Sequence, residues 1–461
     1  YTFINSVTVN VELTYNAFIV TFFASGSSGL VSPYNVTFIE DGLPTGTTWS
    51  VTFNGSTLSS TSSTITFRAY NGTYSYTVGL AIGYSSSPSS GSITVNNAPV
   101  TQTITFTKTL YTYLTITLTN NQTTTTPAPF QQLITIDPSA LGSANFSVDL
   151  GNIRFYADSA FTQPLYAWVE SGNSNTATAT NIWINLPNGV PANSSITIYM
   201  LLKSVGTEYD GVYMGEAPQL SSTYAQYDNG ANVFNNYWNF AGTVLPSNFT
   251  ITTFTSSSSA SGSYSVNNGL TITNTNGSDF WHNQYDITLL YYNNLVTIPF
   301  IVQSYLTSLT GNSNDGGWTK FGILLQNTIS DTSDSNGEVS MQTTDGEGHQ
   351  FSYQSGTSYI APSAGTNDSL TITYPTIIAL IAQSSTSVGG FYGVSLNSLT
   401  QVGSYGAPTS MASSVYMGIF ILAHNTVGSS STGTLNYLLN RAYPPNGTMP
   451  SVSVGVYTTT G

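Results

Sequence analysis

Residues 1–24 contain neither Gly nor Pro, and within them Val7, Val9, Val11, Leu13 and Tyr15 alternate with Thr8, Asn10, Glu12, Thr14 and Asn16. Alternating apolar and polar side chains are the signature of a strand with one buried face. The continuation, residues 17–24, includes Ile19 and Phe23 and is apolar on both faces. At about 3.3 Å per residue the run from Phe3 to Phe23 reaches roughly 70 Å, several times an ordinary strand of about 5–6 residues. Such a ribbon is too long for one sheet of one small domain. It either forms a hairpin turning near Tyr15-Asn16, a poor two-residue turn, or serves as an arm whose apolar half completes the sheet of a neighbouring molecule. An unpaired apolar arm aggregates, so the segment calls for a pairing partner.

Behind a Ser/Gly joint at residues 25–29, short strand patterns recur at 34–39, 48–53, 63–68, 73–78, 92–95 and 102–107, with Asn54-Gly55 and Asn71-Gly72 as turns. This spacing fits an immunoglobulin-like sandwich. A second set at 113–119, 130–136, 152–155, 165–170, 179–186 and 195–202, punctuated by prolines, fits another small sandwich. Residues 226–456 show no helical period of useful length. They carry long strand patterns at 270–273, 287–292, 296–306, 318–326, 369–382, 390–396, 415–423 and 435–442, which call for two large packed sheets.

The charge content is unusual for so long a chain. Only 6% of the 461 residues are charged, with 20 carboxylates against six Lys and Arg, for a net charge of −14. No basic patch exists to neutralise phosphates, so a nucleic-acid partner is excluded. A fold with almost no ion pairs has little to lose when carboxylates protonate, which suits an acidic exterior. There is no Cys, so disulfides and thiolate metal sites are excluded and stability must come from packing. The chain has neither a signal peptide nor an apolar run long enough to span a membrane, and reads as a mature, processed form. Its last residues, Val456-Tyr457-Thr458-Thr459-Thr460-Gly461, could be a cut point before a Thr-rich stalk.

Three stretches resemble known families. VTFIEDGLPTGTTWSV and NGTYSY, in residues 34–78, resemble a module repeated in surface proteins of thermoacidophilic archaea, which implies a structural role. In it Trp49 reads as a core aromatic and Gly42-Leu43-Pro44 as a tight loop. LGNIRF, YAWVESGNSNTATATNIWINLPNGVPANSSITIYML and GEAPQLSSTYAQYDNGANVF, in residues 114–234, resemble an uncharacterised domain of archaeal and bacterial surface proteins. NYWNFAGTVLPSNFT, GGWTKFGILLQN and LNRAYPPNGTMPSVSVG resemble concanavalin-like jelly rolls. The expected class is therefore all-β: an N-terminal arm and linker at 1–32, an immunoglobulin-like sandwich at 33–109, a second sandwich at 110–225 and a concanavalin-like jelly roll at 226–461.

Candidate chemistry is sparse. Asp331, Asp334, Asn336 and Glu338, flanked by Asp315, Asp345 and Glu347, form the densest oxygen cluster. Ca²⁺ is the ion it could hold, although the spacing is not that of an EF-hand and a solvated loop is the plainer reading. Glu338, Asp345 and Glu347 are the candidates for the paired carboxylates of glycoside hydrolysis, but the Glu-x-Asp-x-x-Glu strand pattern of jelly-roll glycosidases is absent. His282, His349 and His424 show no ligand spacing. Trp238, Trp281, Trp318, Tyr291 and Tyr292 could stack on sugar rings if exposed. Glycosylation sequons stand at Asn35, Asn54, Asn71, Asn121, Asn145, Asn193, Asn248, Asn276, Asn367 and Asn446.

These features lead to the expectation of a non-enzymatic, glycosylated extracellular or cell-surface protein, structural or adhesive in role, with no catalytic residues and no resident metal. Its sharper form is a filament or surface-layer subunit, a homopolymer in which the N-terminal strand inserts into the sheet of the next copy by donor-strand complementation. The acceptor would be the sandwich at 33–109. The competing expectation is a lectin-like adhesin that binds surface carbohydrate; a glycoside hydrolase ranks third.

Overall fold

The computed structural model describes residues 32–81, 83–255, 259–276, 286–311, 317–329, 337–355, 358–360, 372–408, 411–424 and 430–460. The expected assembly strand, with Val7, Val9, Val11, Leu13, Tyr15, Ile19 and Phe23, lies outside the described residues. The described elements are almost all β-strands, and the described chain divides into two units on either side of Thr109 and Leu110.

In the first unit one four-stranded sheet runs Thr64–Ala69, Tyr34–Asp41, Val100–Lys108, Tyr84–Ser87, and a second runs Ser56–Ser60, Trp49–Phe53, Gly72–Val78, Ser90–Val95. Alternation sends Val36, Phe38, Val51, Phe53, Ile65, Phe67, Ile93 and Ile104 into one core. Trp49 is 1% exposed, and its indole N–H donates to Ser62 O at 2.8 Å, so the buried ring leaves no polar group unsatisfied. The tight loop after the first strand has equally local causes. Glu40 accepts from the Leu43 backbone N–H at 3.1 Å, and Gly42 has φ +102° with a would-be Cβ only 2.1 Å from Phe106 O. Only glycine fits there. The motif around Gly42 and Trp49 is thus a packing and turn motif.

In the second unit a four-stranded sheet (Phe130–Ile136, Thr180–Leu186, Ala167–Ser171, Met214–Glu216) packs on a five-stranded one (Pro164–Leu165, Ile153–Tyr156, Ser194–Leu202, Tyr111–Asn120, Ser451–Thr460). Two eight-stranded sheets follow, forming a jelly-roll-like sandwich. The first orders Ser261–Val266, Leu270–Thr275, Ser430–Ala442, Phe300–Thr310, Thr376–Ser384, Ser387–Gly393, Leu399–Gly406, with Asn236–Trp238 attached. The second orders Phe249–Thr253, Thr288–Tyr292, Ser414–Leu422, Lys320–Gln326, Val339–Thr344, His349–Ser355, Ser358–Ile360, with Val296–Thr297 attached. Between them lies the largest core, including Val302, Phe321, Ile323, Met341, Phe351, Ile378 and Ile419.

The expected boundary between 225 and 226 falls inside this unit, because the smaller sandwich is keyed onto the outer face of the first large sheet. Trp168, Trp183, Phe234, Tyr237, Tyr437 and Leu439 form a shared core, with Trp168 edge-on to Tyr437 at 5.7 Å. Buried polar groups cross the seam. Glu170 accepts from the Trp183 indole at 2.7 Å and from Leu396 N at 2.6 Å. Arg441 donates to Gln303 at 2.8 Å and lies 4.7 Å over the Trp183 ring. Asp228 accepts from Trp168, Tyr237, Asn239 and Gly230 N. The chain end crosses back as well. Ser451–Thr460 pairs with Tyr111–Asn120 and leaves the jelly-roll sheets, covering what would be an exposed edge.

Candidate functional site

A cleft of about 640 Å³ opens where the turn between Val339–Thr344 and His349–Ser355 meets the Ser387–Gly393 and Leu399–Gly406 hairpin. Local geometry builds its rim. Thr344 Oγ1 accepts from Glu347 N at 2.8 Å and donates to Gly348 O at 3.0 Å, while Gly348 takes φ +79° to reverse the chain. The turn therefore delivers Glu347 and His349 side by side to the cleft wall. The His349 ring stacks on Tyr392 with centroids 4.0 Å apart and planes 21° from parallel. Thr376, Thr400 and Gln401 add hydroxyl and amide groups.

The described lining residues of the cleft carry few ionisable groups. Burial pushes the His349 imidazole down to about 4, and its Nδ1 has no hydrogen-bond partner among the described residues. Glu347 is the one carboxylate among the described lining residues. The volume falls in the range of small-ligand sites, roughly 300–1,000 Å³. An aromatic wall with a few neutral polar groups suits a carbohydrate ring, whose C–H faces stack and whose hydroxyls pair.

The other sequence candidates are scattered. Glu338 and Asp345 flank opposite ends of Val339–Thr344, which the rise of a strand puts roughly 20 Å apart. Asp345 turns toward Gly311, and Glu347 lines the cleft. The face of Val339–Thr344 turned from the core carries Ser340 and Gln342, paired to Ser352 at 2.8 Å and Gln350 at 2.9 Å. The hydrolase candidates are therefore not assembled as a facing pair. Of the suggested sugar-stacking aromatics, Trp238 is buried in the jelly-roll core with Tyr292 packed on it, and Tyr291 packs on a smaller cluster. Trp318 lies beside Lys320 and His424. Trp281, His282, Asp315, Asp331, Asp334, Asn336 and Asn367 lie outside the described residues. Asn35, Asn54, Asn71, Asn121, Asn145, Asn193 and Asn446 are exposed, and Asn248 and Asn276 are half-buried. Sequence reasoning missed Tyr392, Thr400 and Gln401, because Tyr, Thr and Gln on strands carry no signal distinguishing a cleft wall from any sheet face.

Several known proteins are similar to parts of this chain. Residues 149–217 match a domain of unknown function, DUF2341. "Uncharacterized protein 562" of Sulfolobus islandicus rod-shaped virus 1 is 50% identical over 113 residues, 24% of this chain and 19% of the viral protein. Among solved structures, one described with endo-acting O-glycanases of the human gut microbiota is 9% identical, covering 45% of this chain and 99% of its own at a TM-score of 0.31. LamAcat from Zobellia galactanivorans is 12% identical over 46% of this chain and 98% of its own, at a TM-score of 0.30. Bacillus licheniformis β-glucanase is 11% identical over 45% and 97%, at 0.27. No helix among the described residues is long and apolar enough to cross a membrane.

His349 generates a pH prediction. Its folded-state value, about 4, lies below the unfolded 6.5, so the unfolded chain takes the proton first as pH falls. Stability is thereby lost between pH 6.5 and 4, by up to about 3 kcal/mol. Burial raises Glu170, Glu216 and Asp228 instead, so their contribution is fullest at low pH and is lost as pH rises through their folded values. Urea midpoints measured from pH 7 to 4 should fall less steeply, or rise, in His349→Gln relative to the unaltered chain. Parallel curves would contradict the assignment.

Proposed function

We propose that this chain is an extracellular structural and adhesive protein that binds carbohydrate in the cleft beside His349 and Tyr392. The observation that carries the reading is the near-parallel His349–Tyr392 stack in a sparsely charged cleft of sugar-sized volume. Glu347 is the one carboxylate among the described lining residues, whereas glycoside hydrolysis needs two facing groups, and this supports binding. Similarity to a protein of a Sulfolobus virus supports an archaeal setting, on the cell surface or on a virion. On a glycan array the intact chain should bind a neutral oligosaccharide, and Tyr392→Ala should lower affinity on the order of tenfold in a chain that still melts cooperatively. An array without binding, or full binding by Tyr392→Ala, argues against the cleft. Release of reducing sugar would favour the hydrolase.

A second reading, polymerisation by strand donation, draws support from the first unit. Ser56–Ser60 is a sheet edge of sequence STLSS, mostly exposed, with Leu58 43% exposed and no charge or Pro to guard its backbone groups. An arm with alternating apolar side chains could extend such an edge. Removing residues 1–24 should convert filaments or large assemblies into monomers by electron microscopy and light scattering. Undiminished filaments would exclude the arm as the connector.

Surface glycan would shield a polypeptide with so few charges. Asn35, Asn54, Asn121 and Asn193 are exposed sequons whose side-chain amides make no hydrogen bond among the described residues, whereas Asn71 and Asn446 donate to Asn97 and Gln122. Peptide mass spectrometry of native material should find hexose-bearing peptides at the first four. Bare peptides throughout would remove glycosylation from the reading.

A further inference from the structure

The outer face of the five-stranded sheet carries a feature that the cleft does not use. Leu114, Ile116 and Leu118 point into the core, so Tyr111 and Tyr113 point out, as do Tyr156 and Tyr199 opposite core residues Phe155, Ile198 and Met200. Phe161, from the loop after Ile153–Tyr156, sits among them. Its centroid lies 5.1 Å from Tyr111, 5.3 Å from Tyr113, 5.5 Å from Tyr156 and 6.3 Å from Tyr199. All five rings are half-exposed. None of the four hydroxyls makes a hydrogen bond to the protein among the described residues.

The loop is built to hold this ring in place. Phe161 has φ +57°, a strained conformation that bulky side chains rarely adopt. Asp158 holds it there, accepting from Thr162 N at 2.9 Å, Gln163 N at 3.2 Å and the Thr162 hydroxyl, while Phe161 N donates to Asp158 O at 3.2 Å. Strain maintained by dedicated hydrogen bonds at a half-exposed aromatic is expensive for a surface with nothing to contact.

We propose that this aromatic cluster is a second carbohydrate-binding surface, independent of the cleft, for a single soluble glycan chain. Size and charge select the occupant. Aromatic side chains present about 150–250 Å² each, so five rings that are each less than half exposed offer at most a few hundred Å². That falls well short of the ~800 Å² per partner of a stable protein interface, and is enough for two or three sugar rings. Neutral phenols supply none of the cationic charge that a nucleic acid's phosphates require. They do offer ring faces for sugar C–H groups and free hydroxyls for sugar hydroxyls. Interplanar angles of 56–90° around Phe161 make the surface ridged. A flat crystalline polysaccharide would not seat on it.

The test is affinity electrophoresis of the full chain in gels containing hydroxyethylcellulose, glycol chitin or mannan. At least one should retard the chain. Tyr113→Ala with Tyr199→Ala should weaken the retardation on the order of tenfold, and Phe161→Asn, which tolerates the same backbone conformation, should weaken it too. Melting curves should be cooperative for both variants, and Tyr392→Ala should leave this retardation in place. Absence of retardation with all three polysaccharides would overturn the proposal. So would full retardation by either aromatic variant, or loss of retardation confined to Tyr392→Ala, which would assign the binding to the cleft.

Discussion

Glu170 occupies the seam between two sandwiches, and the architecture of the larger unit depends on how it is satisfied. A carboxylate taken out of water is costly unless every lone pair is answered. Here the Trp183 indole and the Leu396 backbone N–H answer it from opposite sides of the seam, and the Arg441 guanidinium, stacked on the same indole, contributes an attractive field. Burial lowers Arg441 itself to about 10, so it keeps its charge at neutral pH. These groups set the register of the two sandwiches, while the aromatic core of Trp168, Tyr237 and Tyr437 supplies the apolar burial around them. A chain without disulfides and with 6% charged residues has few other ways to hold large sheets in register.

The same economy shapes the surfaces proposed to bind ligands. With so few ionisable groups, recognition falls to hydroxyls, amides and aromatic rings, and these match neutral sugars better than any charged partner. The cleft and the tyrosine cluster lie on different sheets of one unit. The first is made by a turn that places His349 against Tyr392, the second by a strained loop that places Phe161 among four tyrosines. A protein with two such surfaces could hold a polymer at two points, and simultaneous engagement raises avidity without any new contact.

Much of the fold was legible from alternation. The strands Tyr34–Asp41, Phe130–Ile136, Thr180–Leu186 and Ser414–Leu422 bury apolar side chains at every second position or on both faces, and their sequences announce it. Strands such as Ser261–Val266 and His349–Ser355 were passed over, because the alternation in them rests on only two apolar residues each, Tyr264 and Val266 or Phe351 and Tyr353, among Ser, Gly and Gln. The return of Ser451–Thr460 to the smaller sandwich was equally hidden. A strand's sequence states which face is apolar and says nothing of which distant strand will pair with it.

The cleft shows the same division. His349 drew attention as one of three histidines without ligand spacing, but its partner Tyr392 is 43 residues away and one of 31 tyrosines. From its residues alone the chain's all-β class, its neutral chemistry and its reliance on packing could be derived, because composition and period are local properties. Which tyrosines remain half-exposed, which side chains line the cleft and which sandwich claims Ser451–Thr460 were decided by tertiary structure. Each depends on backbone pairing between residues far apart in the chain, and such pairing is chosen by the burial of whole sheets rather than by any one segment.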